Sequence, residues 1–391
     1  MKEEESPRGR IAIASAFLDG HLAVTEDLIR HEYSCLLCEA CTDICPTGVQ
    51  MDRIMTSLRV EVQREVPRSW QETIFRKITF DYFLLDLGSF RKLYGLLRLF
   101  NISGIRVLAR ALGVLKLFGV EKFEPLLPSR LPSPIEAKGQ SWGPKKTPAR
   151  FKVAIFVGCI MGTVFSRTTM ATARVLAANG CEVMAVAGQG CCGSLHGHNA
   201  LSKGAMKLAR QNVDAFGALS VDAIIVNAAG CGSYMKNYGG LLANDSAYAE
   251  RAMALSGKIK DSLEFISEIG LQIEGALQDY TVTYQEPCHL AHTQGVRRAP
   301  RELLASIPGA KFVEMDQASM CCGSAGLYNL THIDMSQRLL ERKLEQVRGT
   351  GATVIASANP GCLLQLEMGV RRAGLPIRVA HIVDLLDEAF K

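Results

Sequence analysis

Four cysteines and a proline stand close together near the N-terminus, at Cys35, Cys38, Cys41, Cys45 and Pro46. Their C-x2-C-x2-C-x3-C-P spacing is the one that bacterial-type ferredoxins use to hold a [4Fe–4S] cluster. Closely spaced thiolates let a tight loop wrap its sulfurs and backbone N–H groups around one corner of an iron–sulfide cube. The proline then stops the loop from continuing as a helix. The sequence therefore predicts a [4Fe–4S] cluster at residues 35–45, and with it electron transfer.

A zinc site is the alternative for this segment. Zinc ligands usually come as two C-x2-4-C pairs that are far apart in the chain, and the continuous run over residues 35–45 lacks that arrangement. The spacing favours iron and sulfide over zinc. A zinc-stabilised scaffold for the assembly of partners stays open as the plainest alternative function.

Eight further cysteines form two sets with nearly the same internal spacing. The sets are Cys159, Cys191, Cys192 and Cys231, and Cys288, Cys321, Cys322 and Cys362. In each set the adjacent pair is followed by a glycine, Gly193 or Gly323. A tandem duplication that keeps four cysteines in register is hard to produce by chance.

Segments typical of strands and helices alternate around both sets. In the first copy we expect strands at 153–157, 183–187 and 223–226 and helices at 168–178 and 203–216. In the second copy we expect strands at 281–284, 311–314 and 354–356 and helices at 301–306 and 335–347. Such alternation predicts βαβ units with parallel strands, whose carboxyl ends lie at one edge of the sheet. Because every cysteine of the two sets follows a strand, the thiols can converge there, beside helix N-termini that favour thiolates.

These patterns predict an α/β protein with four regions. The first is a small α-helical ferredoxin-like module over 1–66, with one cysteine motif. A helical connector and linker over 67–148 follows. Two tandem duplicated parallel α/β cysteine-rich domains complete the chain, and we name them repeat 1 (149–270) and repeat 2 (271–391).

Length and composition are those of an ordinary globular protein. The chain has 391 residues, of which 48% are hydrophobic and 21% charged, enough for two or three cores. A net charge of +5 without a dense basic stripe argues against nucleic-acid binding. Thirteen cysteines behind an acidic start without an apolar segment indicate reduced thiolates in a reducing compartment. We therefore expect a cytoplasmic protein, at most peripheral on the cytoplasmic face of the inner membrane.

Residues 90–118 combine leucines and isoleucines with cations and contain no acidic residue. The cations are Arg91, Lys92, Arg98, Arg106, Arg110 and Lys116. A basic amphipathic stretch of this kind can lie on an anionic membrane surface. The alternative is a helical hairpin packed on the neighbouring domain, with its cations facing water or an acidic partner. The sequence alone favours the hairpin.

Residues 188–193 read G-x-G-x-x-G after a predicted strand, which is the dinucleotide-binding fingerprint. The equivalent segment of the second copy, 318–323, keeps the two cysteines and the last glycine but loses the first two glycines. The duplication has retained the thiol pair and not the phosphate loop. We therefore do not expect nucleotide binding here.

Two further groups near the motifs are not expected to be ligands. Cys181 is matched by Ala310 in the second copy, which predicts a small buried residue. The nearby histidines are not placed symmetrically in the two copies, so we interpret them as hydrogen-bonded loop residues. These histidines are His196, His198, His289 and His292.

With these residues in view, the chain resembles the iron–sulfur subunit family of glycolate oxidase (glycolate dehydrogenase). That family belongs to the wider set of proteins with Cys-Cys-Gly cysteine-rich domains, which includes subunits of heterodisulfide reductase and anaerobic glycerol-3-phosphate dehydrogenase. The resemblance covers segment 6–11 (Ser-Pro-Arg-Gly-Arg-Ile), residues 35–49, the basic helical middle and both repeats.

The resemblance implies an electron-transfer subunit without substrate chemistry of its own. A separate FAD-binding subunit would oxidise the 2-hydroxy acid, and electrons would pass through this chain toward a quinone. By resemblance to heterodisulfide reductase subunits, the eight cysteines of the two repeats would hold further iron–sulfur clusters. Lactate or glycerol-3-phosphate oxidation stays open as an alternative to glycolate oxidation.

The chain departs from the family pattern in two ways. The family usually has two ferredoxin motifs, and this chain starts just before the segment that follows the first of them. The fourth cysteine of each run serves the other cluster in paired ferredoxins, so either Cys45 completes its own cluster or the chain is truncated or starts at a misassigned position. Full repeats end in C-x-x-C, but Cys231 and Cys362 lack that second cysteine. Its absence argues against the other candidate function, a disulfide- or sulfur-handling reductase.

Overall fold

The computed structural model of the protein describes residues 3–66, 70–117, 124–128, 131–144 and 148–390. It contains a helical N-terminal part and two parallel sheets covered by helices, so the predicted pair of tandem α/β domains is confirmed. The predicted boundaries at 1, 67 and 391 and the end of the basic stretch at Phe118 lie outside the described residues.

The N-terminal part is helical. Its helices are α1 (Pro7–Leu18), α2 (Glu26–Ser34), α3 (Ala40–Asp43), α4 (Met51–Glu65), α5 (Trp70–Arg76), α6 (Leu87–Ile102), α7 (Ile105–Ala111) and α8 (Val114–Leu117). A π-helical stretch covers Lys77–Leu84, and 3-10 turns cover Glu3–Glu5 and Glu124–Leu126. In the described ranges, every helix is too short or too polar to cross a bilayer.

Side-chain caps explain where the first helices begin. The Ser6 hydroxyl accepts a hydrogen bond from the Gly9 N–H at 3.1 Å, and Pro7 occupies the first helical turn, where no N–H is needed. The Thr25 hydroxyl accepts from the Leu28 N–H at 3.2 Å and caps α2 in the same way. Helices α1, α2 and α4 then pack their apolar faces together in a small core that includes Leu28, Leu58 and Val62.

The strands are β1 (Ser141–Trp142), β2 (Phe151–Ile155), β3 (Cys181–Ala185), β4 (Ala223–Val226), β5 (Ile259–Asp261), β6 (Thr281–Tyr284), β7 (Lys311–Phe312), β8 (Val354–Ser357) and β9 (Arg378–His381). The helices of repeat 1 are α9 (Ser166–Ala178), α10 (Ser194–His198), α11 (Ser202–Phe216), α12 (Ala229–Lys236), α13 (Tyr238–Leu241), α14 (Ala249–Lys258) and α15 (Ser262–Ile269). Those of repeat 2 are α16 (Arg298–Ala305), α17 (Tyr328–Thr331), α18 (Ile333–Thr350), α19 (Pro360–Arg372) and α20 (Ile382–Ala389), with a π-helical turn over His289–Thr293.

The two repeats have the same strand order. In repeat 1 the parallel strands run β3–β2–β4–β5, and in repeat 2 they run β7–β6–β8–β9. Strands β5 and β9 were not predicted, because each is short and directly precedes a helix. The end of the predicted linker also forms a strand, since β1 pairs with β3 in antiparallel orientation, Ser141 opposite Met184.

The sheets are buried on both faces, as expected where helices cover a parallel sheet. Val153, Ile155 and Ile225 of repeat 1 are fully buried, and one apolar core continues from them into repeat 2. Helix α9 packs on α20, where the Arg174 guanidinium donates to the Asp387 carboxylate at 2.7 Å. The repeats therefore form one packed body, with their sheets on a shared core.

Candidate metal centres

The four thiols of repeat 1 lie together at the carboxyl end of its sheet. Cys159 follows β2, Cys191 and Cys192 follow β3, and Cys231 lies in the first turn of α12, which follows β4. The sulfurs of Cys159 and Cys191 are 3.6 Å apart. Cys192 hydrogen-bonds to both Cys191 and Cys231. Strand order reverses between β2 and β4, and that reversal opens the crevice in which ligands of such sheets bind.

Repeat 2 contains the same row of thiols in the same order. Cys288 hydrogen-bonds to Cys321, Cys321 to Cys322, and Cys322 to Cys362. The Asn359 amide also donates to the Cys362 sulfur at 3.5 Å. The structure thus brings together the four thiols of each set that the duplication singled out.

The thiols are arranged as rows of neighbours and not around a single point. Among the described residues, no three or more His, Cys, Asp or Glu side chains are grouped to hold one metal ion. A polynuclear cluster binds its thiolates through different metal atoms, so its ligands lie further apart than the ligands of one ion. Soft thiolate donors in such a row fit an iron–sulfur cluster.

The glycine of each Cys-Cys-Gly segment has a left-handed backbone, with φ of 86° at Gly193 and 87° at Gly323. A side chain there would be strained and would also approach the second helix that follows, α11 in repeat 1 and α18 in repeat 2. A Cβ at Gly193 would lie 3.3 Å from the Ala205 carbonyl oxygen, and one at Gly323 only 2.6 Å from that of Ser336. The glycine that looked like part of a nucleotide fingerprint is therefore explained by the turn that directs the thiol pair.

The remaining glycines of that fingerprint also have structural reasons. Gly188 has φ of 83°, and a Cβ at Gly190 would lie 2.8 Å from the Gln211 side-chain oxygen. Both requirements come from the turn and its packing on α11. The glycines therefore need no phosphate to account for them.

Burial and mutual hydrogen bonding alter the acidity of the repeat thiols. The pKa of Cys191 lies well below the ordinary thiol value because the Cys159 and Cys192 thiols and the Gly193 N–H donate to its sulfur. The pKa values of Cys159 and Cys192 are raised, first by that same bond to Cys191, for Cys192 next by its bond to Cys231, and then by burial. In repeat 1 the Cys191 thiol therefore loses its proton more readily than its two neighbours. In repeat 2 burial contributes to raised pKa values of Cys288, Cys321 and Cys322, so ionising these thiols requires a cation to offset the charge.

The N-terminal loop, residues 35–46, holds its thiols differently. Leu37 and Glu39 have left-handed backbones, with φ of 51° and 62°, which curl the loop tightly. Burial raises the pKa of Cys38 to about 11, and the nearby Cys288 and Cys35 act in the same direction. Cys45 is closer to solvent, with its sulfur 3.2 Å from the Thr47 hydroxyl, and that hydrogen bond lowers its pKa.

This loop docks directly on repeat 2. The Leu37 carbonyl oxygen lies 2.9 Å from Nε2 of His289, the residue next to Cys288. The Asp43 carboxylate lies 2.9 Å from Nδ1 of His292 and pairs with Arg297. Cys38 of the loop is therefore brought close to Cys288 of repeat 2, as the influence of Cys288 on the pKa of Cys38 also indicates.

A buried arginine joins the loop to repeat 1. Arg59 on α4 is only 5% exposed. Its guanidinium donates to the carbonyl oxygens of Glu32 at 3.0 Å, Cys35 at 2.8 Å and His198 at 3.0 Å. Sequence reasoning missed this residue. The sequence feature that could have identified Arg59 is its position, since it places a cation on the face of α4 that also carries Met55 and Val62.

The histidines near the motifs lie in helical segments and not in loops, contrary to expectation. His196 and His198 belong to α10, and His289 and His292 to the π-helical turn. His196 Nε2 lies 3.1 Å from the Phe80 carbonyl oxygen, while its Nδ1 has no partner. Burial lowers the pKa of His198 to about 3. Cys181 lies fully buried in the apolar core, as expected from its match to Ala310.

Comparison with known families finds the domain described as "Cysteine-rich domain" twice, at residues 153–236 and 282–367. These two ranges contain all eight cysteines of the two thiol rows. The duplication predicted from cysteine spacing is thereby confirmed.

The whole chain is similar to glycolate oxidase iron–sulfur subunits. It is 38% identical to the probable glycolate oxidase iron–sulfur subunit of Bacillus subtilis (strain 168) and 30% identical to the glycolate oxidase iron–sulfur subunit of Escherichia coli (strain K12). Both alignments span 100% of this chain and 89% of the relative. Lactate utilization protein A of Exiguobacterium sp. is 29% identical over 61% of this chain and 98% of its own length. The chain therefore belongs to the family of glycolate oxidase iron–sulfur subunits.

Proposed function

We propose that this chain is the electron-transfer subunit of a multi-subunit 2-hydroxy-acid dehydrogenase that acts on glycolate. The observation that carries the proposal is the pair of equivalent thiol rows, each at the carboxyl end of a parallel sheet. Similarity over the full chain to glycolate oxidase iron–sulfur subunits supports the substrate. When bound, iron–sulfur clusters supply one-electron transfer.

In this proposal the chemistry is divided among chains. A FAD-binding subunit takes two electrons and two protons from glycolate and releases glyoxylate. A quinone accepts two electrons and two protons and becomes the quinol. This chain passes the electrons one at a time between the two, and it makes or breaks no bond of the substrate.

The cysteine spacing of the loop and the two thiol rows support three ligand sets. We assign a [4Fe–4S] cluster to the N-terminal loop, and further clusters to the two repeats. The proposed ligands are Cys35, Cys38, Cys41 and Cys45 of the loop, Cys159, Cys191, Cys192 and Cys231 of repeat 1, and Cys288, Cys321, Cys322 and Cys362 of repeat 2. The contacts of Arg59 and His289 would keep the loop close to both repeats, and short separations favour electron transfer.

Iron content tests this proposal. The full chain is purified without oxygen and analysed for iron, acid-labile sulfide and zinc, then combined with its flavoprotein partner and assayed for glycolate-dependent quinone reduction. We expect iron, sulfide and turnover. A folded, colourless protein that stays free of iron after reconstitution would overturn the proposal, and stoichiometric zinc would instead support the scaffold function.

Lactate is the second candidate substrate. The observation in its favour is the similarity of 61% of this chain to nearly the full length of Lactate utilization protein A. Both acids carry the reacting hydroxyl next to a carboxylate, and substrate choice would lie in the flavoprotein. Comparing quinone reduction by the assembled complex with glycolate and with lactate decides between them.

We also propose that α6 and α7 contact the inner membrane from its cytoplasmic face. Three of the six cations of this segment are turned inward. The Arg106 guanidinium pairs with Glu124 at 2.5 Å, Arg91 pairs with Glu136 at 3.3 Å, and Arg98 donates to the Leu131 carbonyl oxygen at 3.1 Å. The acidic partner expected for a packed hairpin is therefore present.

The apolar side chains of the same helices face outward. Leu96 is 68% exposed, Leu99 58% and Leu112 69%, and no acidic residue interrupts residues 87–117. An apolar face of this size, with the exposed cations Lys92 and Lys116 near it, fits an anionic lipid surface. A membrane contact would also bring the subunit to a lipid-soluble quinone.

Vesicle binding tests the membrane proposal. The double variant Leu96→Glu/Leu99→Glu should lose at least about tenfold in affinity for anionic vesicles, because two charges would enter the interface. Met253→Glu on α14, where the native side chain is 63% exposed, is the matched control and should bind like the native chain. Unchanged vesicle binding by the double variant would overturn the proposal. Loss of flavoprotein binding instead would identify the face as a subunit interface.

A further inference from the structure

Lys343 is a fully buried lysine beside the thiol row of repeat 2. It lies on α18 and is 0% exposed. Its ammonium donates to the carbonyl oxygens of Gln317 at 2.7 Å and Ala318 at 3.1 Å, just before Cys321. In the part of the chain that the structure describes, no carboxylate lies within ion-pair distance of it. A buried cation without an anionic side-chain partner is costly and rare.

The negative groups that act on this cation are the thiols of repeat 2 and the buried Glu286 carboxylate. Glu286 already pairs with Arg301 at 2.6 Å, so the thiols are the groups left for Lys343 to balance. Burial lowers the pKa of Lys343 to about 8, against the smaller electrostatic effects of Cys322, Cys321, Cys362 and Glu286, which raise it. The ammonium therefore remains charged at neutral pH. It adds a fixed positive charge to one side of the thiol row.

Repeat 1 has a neutral residue at the same place. The contact of Gly193 with Ala205 corresponds to that of Gly323 with Ser336, and seven residues further along the helix lie Asn212 and Lys343, respectively. Asn212 is fully buried.

The hydrogen bonds of Asn212 are complete without a charge. Its side-chain oxygen accepts from the Gly190 N–H at 2.9 Å, and its amide donates to the Cys191 carbonyl oxygen at 2.9 Å and to the Tyr238 hydroxyl at 3.0 Å. Tyr234, Tyr238 and His196, which also lie near this thiol row, bring no charge to it. Burial raises the pKa values of Tyr234 and Tyr238 and lowers that of His196.

We propose that Lys343 sets a difference in reduction potential between the two repeats, with the redox group in repeat 2 held at the higher potential. This inference rests on the proposed function. Reduction adds a negative charge, and a nearby buried cation stabilises the reduced form more than the oxidised form. Asn212 offers no such charge in repeat 1.

The difference has a consequence for the route of electrons. Repeat 2 is the domain on which the N-terminal loop docks, through Leu37 and His289. An electron shared between the repeats would therefore reside mainly in repeat 2, beside the loop. Lys343 acts as a tuning residue, since it touches neither substrate nor ligand sulfur in the described contacts.

Potentiometric titration of the iron-loaded full chain, followed by electron paramagnetic resonance, tests the proposal. Cys192→Ser and Cys322→Ser assign the signals to repeat 1 and repeat 2. Lys343→Gln keeps a hydrogen-bond donor but removes the charge. It should lower the repeat 2 potential by about 59 mV, which corresponds to a tenfold change in a one-electron equilibrium, and leave the repeat 1 potential unchanged.

Two controls separate charge from structure. Lys343→Arg keeps the charge and should retain the native potential. Lys311→Gln removes an exposed charge from the same repeat and should shift nothing, because water screens it. An unchanged repeat 2 potential in Lys343→Gln, or an equal shift in both repeats, would overturn the proposal.

The native chain supplies a second test, which does not depend on whether a Lys343 variant folds. Its repeat 2 potential should exceed its repeat 1 potential, and the reverse order or equal potentials would overturn the inference. These outcomes differ from a failure of the proposed function, in which the repeats would contain no iron at all.

Discussion

Repeat 1 begins its last helix, α15, at the cap residue Asp261, whereas repeat 2 begins the equivalent helix, α20, at His381. Both side chains accept a hydrogen bond from the backbone two residues further on, Asp261 from Leu263 at 2.9 Å and His381 from Val383 at 3.1 Å. Yet one is an acid and the other a base. The two copies have therefore kept the geometry of the helix cap but use side chains of opposite acid–base character.

The same contrast holds around the thiols. Both repeats keep four cysteines in one row and a left-handed glycine after the adjacent pair, while the helix behind the row carries Asn212 in one copy and Lys343 in the other. Sulfur positions must match the group they bind, so they tolerate little change. Charges behind the row alter energies without moving the sulfurs, so the two copies can diverge there.

The strongest test of this equivalence is to remove one thiol from each row. Cys192→Ser and Cys322→Ser should each abolish the iron of its own repeat, because the hydroxyl is a poor ligand for iron in such clusters, and leave the other repeat loaded. We expect at least about a 100-fold loss of glycolate-dependent quinone reduction in both, measured in the assembled complex beside the iron content. Retention of full iron in either variant would show that the rows are not equivalent.

The glycines after the thiol pairs should respond unequally to substitution. Gly193→Ala should cost about 1–2 kcal/mol for the left-handed backbone. Gly323→Ala should cost about 1–3 kcal/mol more, because its Cβ would press on the Ser336 carbonyl oxygen at 2.6 Å. Urea unfolding of both variants measures the free energy of unfolding. Equal losses would mean that α18 can move away from the turn.

The cap residues should make stability depend on pH in opposite senses. Burial raises the pKa of Asp261 to about 7. Its contribution to the free energy of unfolding is therefore present below the pKa of the unfolded chain, about 3.9, and is lost as pH rises through 7. Burial lowers the pKa of His381 to about 4, so its contribution is present above about 6.5 and is lost as pH falls through 4. Each effect is on the order of 2–4 kcal/mol.

Two substitutions separate these contributions. Asp261→Asn keeps a capping side chain and should raise the free energy of unfolding at pH 8 while changing it little at pH 4. His381→Asn should remove the loss of stability that the native chain shows between pH 6.5 and pH 4. Unfolding midpoints in urea across this range provide the measurement. A pH profile of the native chain that neither variant alters would contradict both assignments.

The smallest effect is expected at Cys181, a cysteine of repeat 1 that belongs to no proposed ligand set. Cys181→Ala makes repeat 1 match Ala310 of repeat 2, and we expect a loss of about 1 kcal/mol from the buried sulfur with no loss of iron. Iron analysis and urea unfolding check both parts. A drop in iron content would mean that Cys181 belongs to the repeat 1 ligand set.

The sequence by itself determined much of this architecture. Cysteine spacing identified the duplication and selected the thiols that the structure brings together, and alternating strands and helices placed β4 and β6 at their observed positions. These features are local or periodic, so they can be read from neighbours in the chain. The short strands β5 and β9 were not predicted, because a few residues directly before a helix show no periodicity of their own.

Only the tertiary structure decided how the parts meet. The contact between Leu37 and His289 joins residues 252 positions apart, and no local pattern predicts such a pair. Arg106 and Arg91 turn toward Glu124 and Glu136, while leucines of the same segment are exposed, which reverses the simple expectation for a basic amphipathic stretch. Burial of Lys343 behind the thiols likewise depends on where α18 packs. Spacing along the chain encodes which groups can act together, but the balance of packing and desolvation across distant segments decides which charges surround them.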